Sequence, residues 1–301
     1  MPPTQRLARR GLLAIGGATL TAPALAQSAL DTLFRSGGSV LRSFSMTEPD
    51  ELALGRGHYR PLLAESGGAY PSQRVQSAIQ RFAAPLFATS ARNAFDWEIT
   101  VLDDNSVNAW ALPGGKLAVN KGLLRYAASE SELAAVISHE IGHAELSHHL
   151  QAIRRDNFTQ ALTAAGRDIA VSSLRGPGGA LTAVGIDALR TPMHALIRTG
   201  YSREAEREAD MHILNVFRRT GHDPAGATGF FRTMLDLVPA GSDATTSLFS
   251  THPGTQARIA DLERESANMP RASGGGGSSA AAFAELKQSF PTRRNYRGHQ
   301  A

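Results

Sequence analysis

The pentapeptide His139-Glu140-Ile141-Gly142-His143 constrains this chain more than any other stretch, because its chemistry works only on a helix. Positions i and i+4 lie one turn apart on the same helical face, so two imidazoles there can grip one metal ion. The residue after the first histidine points roughly a quarter-turn away, where a carboxylate can hold a water molecule rather than the metal. Two histidines with a general-base glutamate form the arrangement of zinc hydrolases. The plain alternative is two histidines hydrogen-bonded in an ordinary core helix. It leaves a glutamate on an apolar stretch unexplained, and buried carboxylates are rare unless paired or ligating.

The flanks predict a buried helix. Leu133, Val136, Ile137, Ile141 and Ala144 keep a helical period. Ser129 followed by Glu132 has the spacing of a capping box and marks the start. Gly142 costs about 1 kcal/mol of helix propensity relative to Ala. A small residue there lets another element come close to the metal face.

A catalytic zinc needs a third protein ligand and an open position. His149 sits at the third-histidine position of the pattern HExxHxxGxxH, but Leu146 replaces the glycine that turns the chain back. The helix is then expected to continue, carrying His149 about 15 Å from His139 along the axis. His148 is excluded for the same reason, and both are expected to bond to nearby backbone or carboxylates. Glu206 and Asp210, four residues apart on a second helix, are better placed. One carboxylate can ligate while the other accepts a ligand histidine's ring N–H. The alternative is a charged, solvated helix face with i,i+4 pairs, which is the reading of Arg203, Glu204, Arg207 and Glu208.

Further pieces follow in order: Asn108-Ala109-Trp110-Ala111-Leu112-Pro113-Gly114-Gly115, Gly122-Leu123-Leu124, the His139–His143 helix, and Ser202-Arg203 leading to Glu206 and Ala209-Asp210. Thr251-His252-Pro253, followed by Arg258-Ile259, completes the set. Over roughly residues 50–265 the chain resembles the HtpX/BepA/Oma-type zinc metallopeptidases, gluzincins related to the CAAX prenyl proteases. The resemblance implies an α+β fold, mainly helical and zincin-type, with a small antiparallel sheet beside the active-site helix. It implies that His139, His143 and Glu206 hold one Zn2+ per chain, that Glu140 is the general base, and that Asp210 stands behind a ligand histidine. His252 would lie near the metal, steadying the oxyanion or latching the open position; a His-Pro turn opening the helix of Arg258 is the plain alternative. The activity implied is zinc-dependent endopeptidase action on unfolded or misassembled envelope proteins, a quality-control role. The alternative is an envelope chaperone or assembly factor that binds without cleaving, against which the intact Glu140 argues.

Phe95 to Leu102 alternates and is rich in β-formers, and Asp103-Asp104-Asn105 supplies turn residues. Asn108–Leu112 and Lys116–Val119 read as further strands around the Pro113-Gly114-Gly115 turn. In the family an edge strand of this sheet lies beside the zinc. Asn108, Ala109, Trp110, Ala111 and Leu112 are therefore the candidate strand to which an extended substrate peptide adds.

The N-terminus carries an address. Arg6, Arg9 and Arg10 precede the apolar run Gly11–Leu20, and Ala24-Leu25-Ala26 offers a cleavage site. Residues 1–26 read as a cleavable export signal for the general or twin-arginine route, too short to span a membrane. A periplasmic location follows. With no cysteine, lipid anchoring, disulfides and thiolate ligands are excluded together. The formal charge of +4 includes the signal's three arginines, leaving +1 on the mature chain. No concentrated basic face remains for nucleic acid. Residues 27–49 read as a leader, 50–266 as the metallopeptidase domain, and 267–301 as a Gly/Ser linker with a disordered tail. Residues 161–197 are Ala- and Gly-rich but broken by charges, so no transmembrane span is expected, and peripheral membrane contact is left open. The oligomeric state is not legible.

Overall fold

The computed structural model describes residues 47–152, 200–237, 251–252, 255–270 and 278–292. The export signal, the leader up to residue 46, the segment 161–197, the loop 241–250, the glycine run and the basic end from Arg293 lie outside the described residues.

Helix α1 spans Glu48–Glu65 and begins two residues inside the segment read as leader, because Thr47 caps it in a box with Asp50. Helix α2, Gln73–Phe87, starts where Ser72 accepts from the Val75 N–H. Its face of Val75, Ala78, Ile79, Phe82, Ala83 and Leu86 is buried beneath the sheet. Strands β1 (Glu98–Leu102), β2 (Ala109–Leu112) and β3 (Lys116–Asn120) pair in the order β1-β3-β2.

The sheet is mixed, not antiparallel throughout as expected. β3 returns from β2 through the tight Pro113–Gly115 turn and so pairs antiparallel with it. That turn needs positive φ at Gly114 (70°) and Gly115 (81°), a region glycine enters without steric cost. β3 inserts between β2 and β1, however, and therefore runs parallel to β1. The outer edge of β1 is closed by side chains from α2. Gln76 donates to the Val101 carbonyl and accepts from its N–H, both at 2.9 Å, and Gln80 donates to the Ile99 carbonyl.

After α3 (Lys121–Tyr126), helix α4 spans Glu130–Glu145 and carries the pentapeptide. Ser129 caps it by accepting from the Glu132 N–H, while Glu132 reaches the N–H of Ala128 rather than that of Ser129. Every residue from Leu133 to Ala144 is buried. α4 packs between β2 on one side and α5 (Arg203–Thr220) and α6 (Gly226–Leu237) on the other. Helix α5 ends at Gly221, left-handed with φ 75°.

Contrary to the continuation expected from the missing glycine, α4 does not run past Leu146. It stops at Glu145, and Ser147 takes a left-handed φ of 55° that starts a new helical turn at His148. The turn is held from outside. Ser147 Oγ donates to Glu51 Oε2 at 2.9 Å, and Arg92 donates to the Glu145 carbonyl and to Ser147 Oγ.

Helix α7 spans Thr255–Ser266. The tail, expected to be disordered, is helical at Ser278–Ser289 (α8) and packs on α2. Ala282, Leu286 and Phe290 are buried there, and Glu285 pairs with Arg74 and Arg81. Burying Leu286 and Phe290 contributes roughly 1.5–3 kcal/mol each, which a solvated tail would forgo.

Candidate metal centre

Four side chains converge between α4, α5 and the start of α7. Ligand-type atoms of His139, His143, Glu206 and His252 all lie within 4.8 Å of one another, and all four residues are buried. His139 Nε2 and His143 Nε2 are 3.0 Å apart, Glu206 Oε2 is 3.4 Å from His139 Nε2, and Glu206 Oε1 is 3.5 Å from His143 Nε2. Around a tetrahedral zinc with ligands at about 2.0–2.1 Å, neighbouring donor atoms lie about 3.3 Å apart. The three sequence-predicted ligands sit at that spacing. His252 Nδ1 completes the group at 3.2 Å from His139 Nε2 and 3.1 Å from both Glu206 oxygens.

The helices come this close because of Gly142. A Cβ there would stand 2.9 Å from the His212 Cβ and 3.1 Å from the Ala209 Cα, so only glycine lets α5 lie against the metal face of α4. His212 then fastens the pair by donating to the Ser138 carbonyl at 3.1 Å. Ser202 caps α5 by accepting from the Ala205 N–H, which places Glu206 in the first turn, where the helix dipole favours a carboxylate.

Asp210 Oδ1 lies 3.0 Å from His139 Nδ1 and accepts its proton, leaving Nε2 turned to the centre with its lone pair free. Arg258 holds Asp210 from behind in a bidentate pair, both contacts at 2.7 Å. Its Nη1 also reaches Glu206 Oε2 at 2.8 Å and the His252 carbonyl at 3.3 Å. On the other side the guanidinium stacks over Phe231 of α6, 4.9 Å from the ring centre. The sequence offers Arg258 only as part of a family pattern; its buried grip on both carboxylates was not foreseen.

The electrostatics fit a cation. Glu140, Glu206 and Asp210 are buried with Arg258 as their only buried guanidinium partner among the described residues. Three carboxyl groups against one guanidinium make the cluster rich in acids, which suits a cation. Burial works against charge on Glu206, yet His252 and His139 hold its carboxyl far below the usual range. Burial likewise opposes Asp210 ionisation, and Arg258 and His139 overcome it. Burial disfavours a charged His139, but hydrogen bonds to Asp210 and Glu206 win and lift its pKa to about 9.

Glu140 lies beside this group without joining it. Its Oε1 is 3.4 Å from His252 Nε2, and its Oε2 has no hydrogen-bond partner among the described residues. Burial pushes its carboxyl above the ordinary range, partly countered by His252 and His139. The Tyr201 ring lies flat on His143, with centroids 3.9 Å apart and planes at 15°.

Neither His148 nor His149 enters the metal group. His148 turns back to His143 and bonds to Glu208, so Glu208 is not simply part of a solvated face. The ring nitrogens of His149 have no partner among the described residues, contrary to expectation; burial and the nearby His148 and Arg92 pull its pKa to about 3. The start of β2 meets the site through Asn108, whose Oδ1 lies 3.5 Å from the hydroxyl of Thr251.

A profile of peptidase family M48 matches residues 70–266. The chain is 31% identical over 186 residues to mitochondrial metalloendopeptidase OMA1 of Arabidopsis thaliana, covering 62% of this chain and 35% of that one. It is 29% identical over 257 residues to the beta-barrel assembly-enhancing protease of Escherichia coli, covering 83% and 50%. Metalloprotease YcaL of the same bacterium is 25% identical over 223 residues, covering 74% and 82%. The chain thus spans half or less of the first two relatives' length.

Proposed function

The chain belongs to peptidase family M48, and from that membership and the buried cluster we propose a zinc-dependent endopeptidase of the bacterial cell envelope that cleaves unfolded or misassembled polypeptides. His139, His143 and Glu206 hold the zinc, one ion per chain, and Asp210 orients His139 from behind. The observation that carries the reading is Glu140. It is buried against the ligand group, yet one of its carboxylate oxygens has no partner among the described residues. A protein that only bound its clients would have no use for a base there.

When bound, zinc polarises the scissile carbonyl and acidifies a water molecule. Glu140 takes the proton from the attacking water and returns it to the leaving amine. His252 acts as a latch in this reading: its Nδ1 lies 3.2 Å from His139 Nε2 and 3.1 Å from both Glu206 oxygens, at the fourth corner of the donor group, and an arriving peptide displaces it. The peptide adds to β2 through backbone hydrogen bonds. The other outer edge, that of β1, is already occupied by Gln76 and Gln80. Backbone pairing reads little side-chain identity, which suits unfolded clients. One relative's name, beta-barrel assembly-enhancing protease, accords with a quality-control role. The N-terminal arginines, apolar run and Ala24-Leu25-Ala26 site support export to the periplasm. No described helix is long and apolar enough to cross a membrane.

Turnover of casein or of an unfolded outer-membrane protein, with and without chelator, tests the proposal. Glu140→Gln keeps its metal and loses at least about a hundredfold in rate. A wild-type rate in that variant overturns the mechanism, and chelator-resistant binding of clients without cleavage favours the chaperone.

A further inference from the structure

We propose that His148 and Glu208 form a positioning relay that sets the ring of His143 for metal binding, as Asp210 does for His139; the inference rests on His143 being a ligand. His143 Nδ1, the nitrogen turned away from the metal group, lies 2.9 Å from His148 Nδ1. His148 Nε2 lies 2.9 Å from Glu208 Oε2. An ionised carboxylate only accepts, so His148 donates through Nε2, and a neutral ring then has Nδ1 as its acceptor. His143 must therefore donate through its own Nδ1, which leaves the Nε2 lone pair directed at the centre. Tyr201, stacked on the ring face, fixes the plane in which that lone pair points.

The two ligand histidines are thus supported by different means. His139 leans on a buried aspartate clamped by Arg258. His143 leans on a second histidine, which reaches a half-exposed glutamate on α5. The left-handed Ser147 is what makes this reach possible, because it follows the end of α4 at Glu145, two residues past His143, and folds His148 back toward that ring. A left-handed non-glycine residue is rare and concentrates at functional positions. Here Glu51 and Arg92 hold it in place from outside the site.

The experiment is zinc affinity of the full chain by chelator competition, with the absorption spectrum of the cobalt-loaded protein as a second readout. His148→Ala is expected to weaken zinc about ten- to a hundredfold, the usual cost of removing a ligand's supporting partner, and to shift the cobalt bands. His148→Asn, which restores an acceptor near the same place, recovers most of both. Glu208→Ala, a half-exposed change that leaves the core intact, weakens zinc in the same direction by a smaller factor, and it decides the matter if His148→Ala does not fold. Wild-type affinity and spectrum in His148→Ala, or in Glu208→Ala where that variant decides, overturns the relay. So does equal loss in His148→Ala and His148→Asn, which would mark a packing role. His143→Ala is the control: if it too keeps wild-type zinc, the metal assignment has failed rather than the relay.

Discussion

At the scale of single residues, Arg258 decides whether the site can exist. It joins Asp210 through two 2.7 Å contacts and Glu206 through one of 2.8 Å, with all three side chains buried. Replacing it by methionine fills similar volume but strips two buried carboxylates of their guanidinium partner. Breaking a buried pair in this way costs about 3–5 kcal/mol. Denaturant unfolding of metal-free Arg258→Met should show that loss, and a change below about 1 kcal/mol would mean that the guanidinium is not the carboxylates' main partner. Glu206 and Asp210 were legible as a same-face pair because helical periodicity is local. Arg258 was not, since it lies 48 residues from Asp210 and no spacing rule links α7 to α5. Glu208 was misread for a similar reason: an exposed glutamate beside Arg207 looks solvated until a distant histidine arrives.

At the scale of elements, the start of α4 was readable from Ser129 and its stop was not. Ser72, Ser129 and Ser202 each accept from the N–H three residues on, as the cap chemistry of their positions requires. The end of α4 carries no glycine; contacts from Glu51 and Arg92 impose it, and these are tertiary. Strand positions followed from alternation and turn residues, but alternation carries no direction, so the parallel pairing of β1 with β3 had to come from the fold. Gly142 links element to site. Gly142→Ala gains about 1 kcal/mol of helix propensity, yet its Cβ would press on His212 and Ala209, and overpacking of that kind costs about 1–3 kcal/mol. The expected net result is lower thermal stability of the metal-free protein and weaker metal retention as α5 is pushed away. A higher melting temperature would show that the helices have room to spare.

At the scale of the whole molecule, the site is assembled from widely separated stretches. α4 contributes two histidines and Glu140, α5 contributes Glu206 and Asp210, the approach to α7 contributes His252, and α7 itself contributes Arg258. Behind them, α2 braces the sheet and is itself covered by α8. The docking of α8 was written in Ala282, Leu286 and Phe290, spaced by four, but the glycine run before them made the whole tail read as solvated. The central claim is that His139, His143 and Glu206 together hold one zinc ion. Metal content per chain of the purified wild type, Glu206→Ala and His252→Ala tests it most directly. About one zinc per chain is predicted in the wild type and in His252→Ala, with loss in Glu206→Ala. A full complement of zinc in Glu206→Ala would contradict the account.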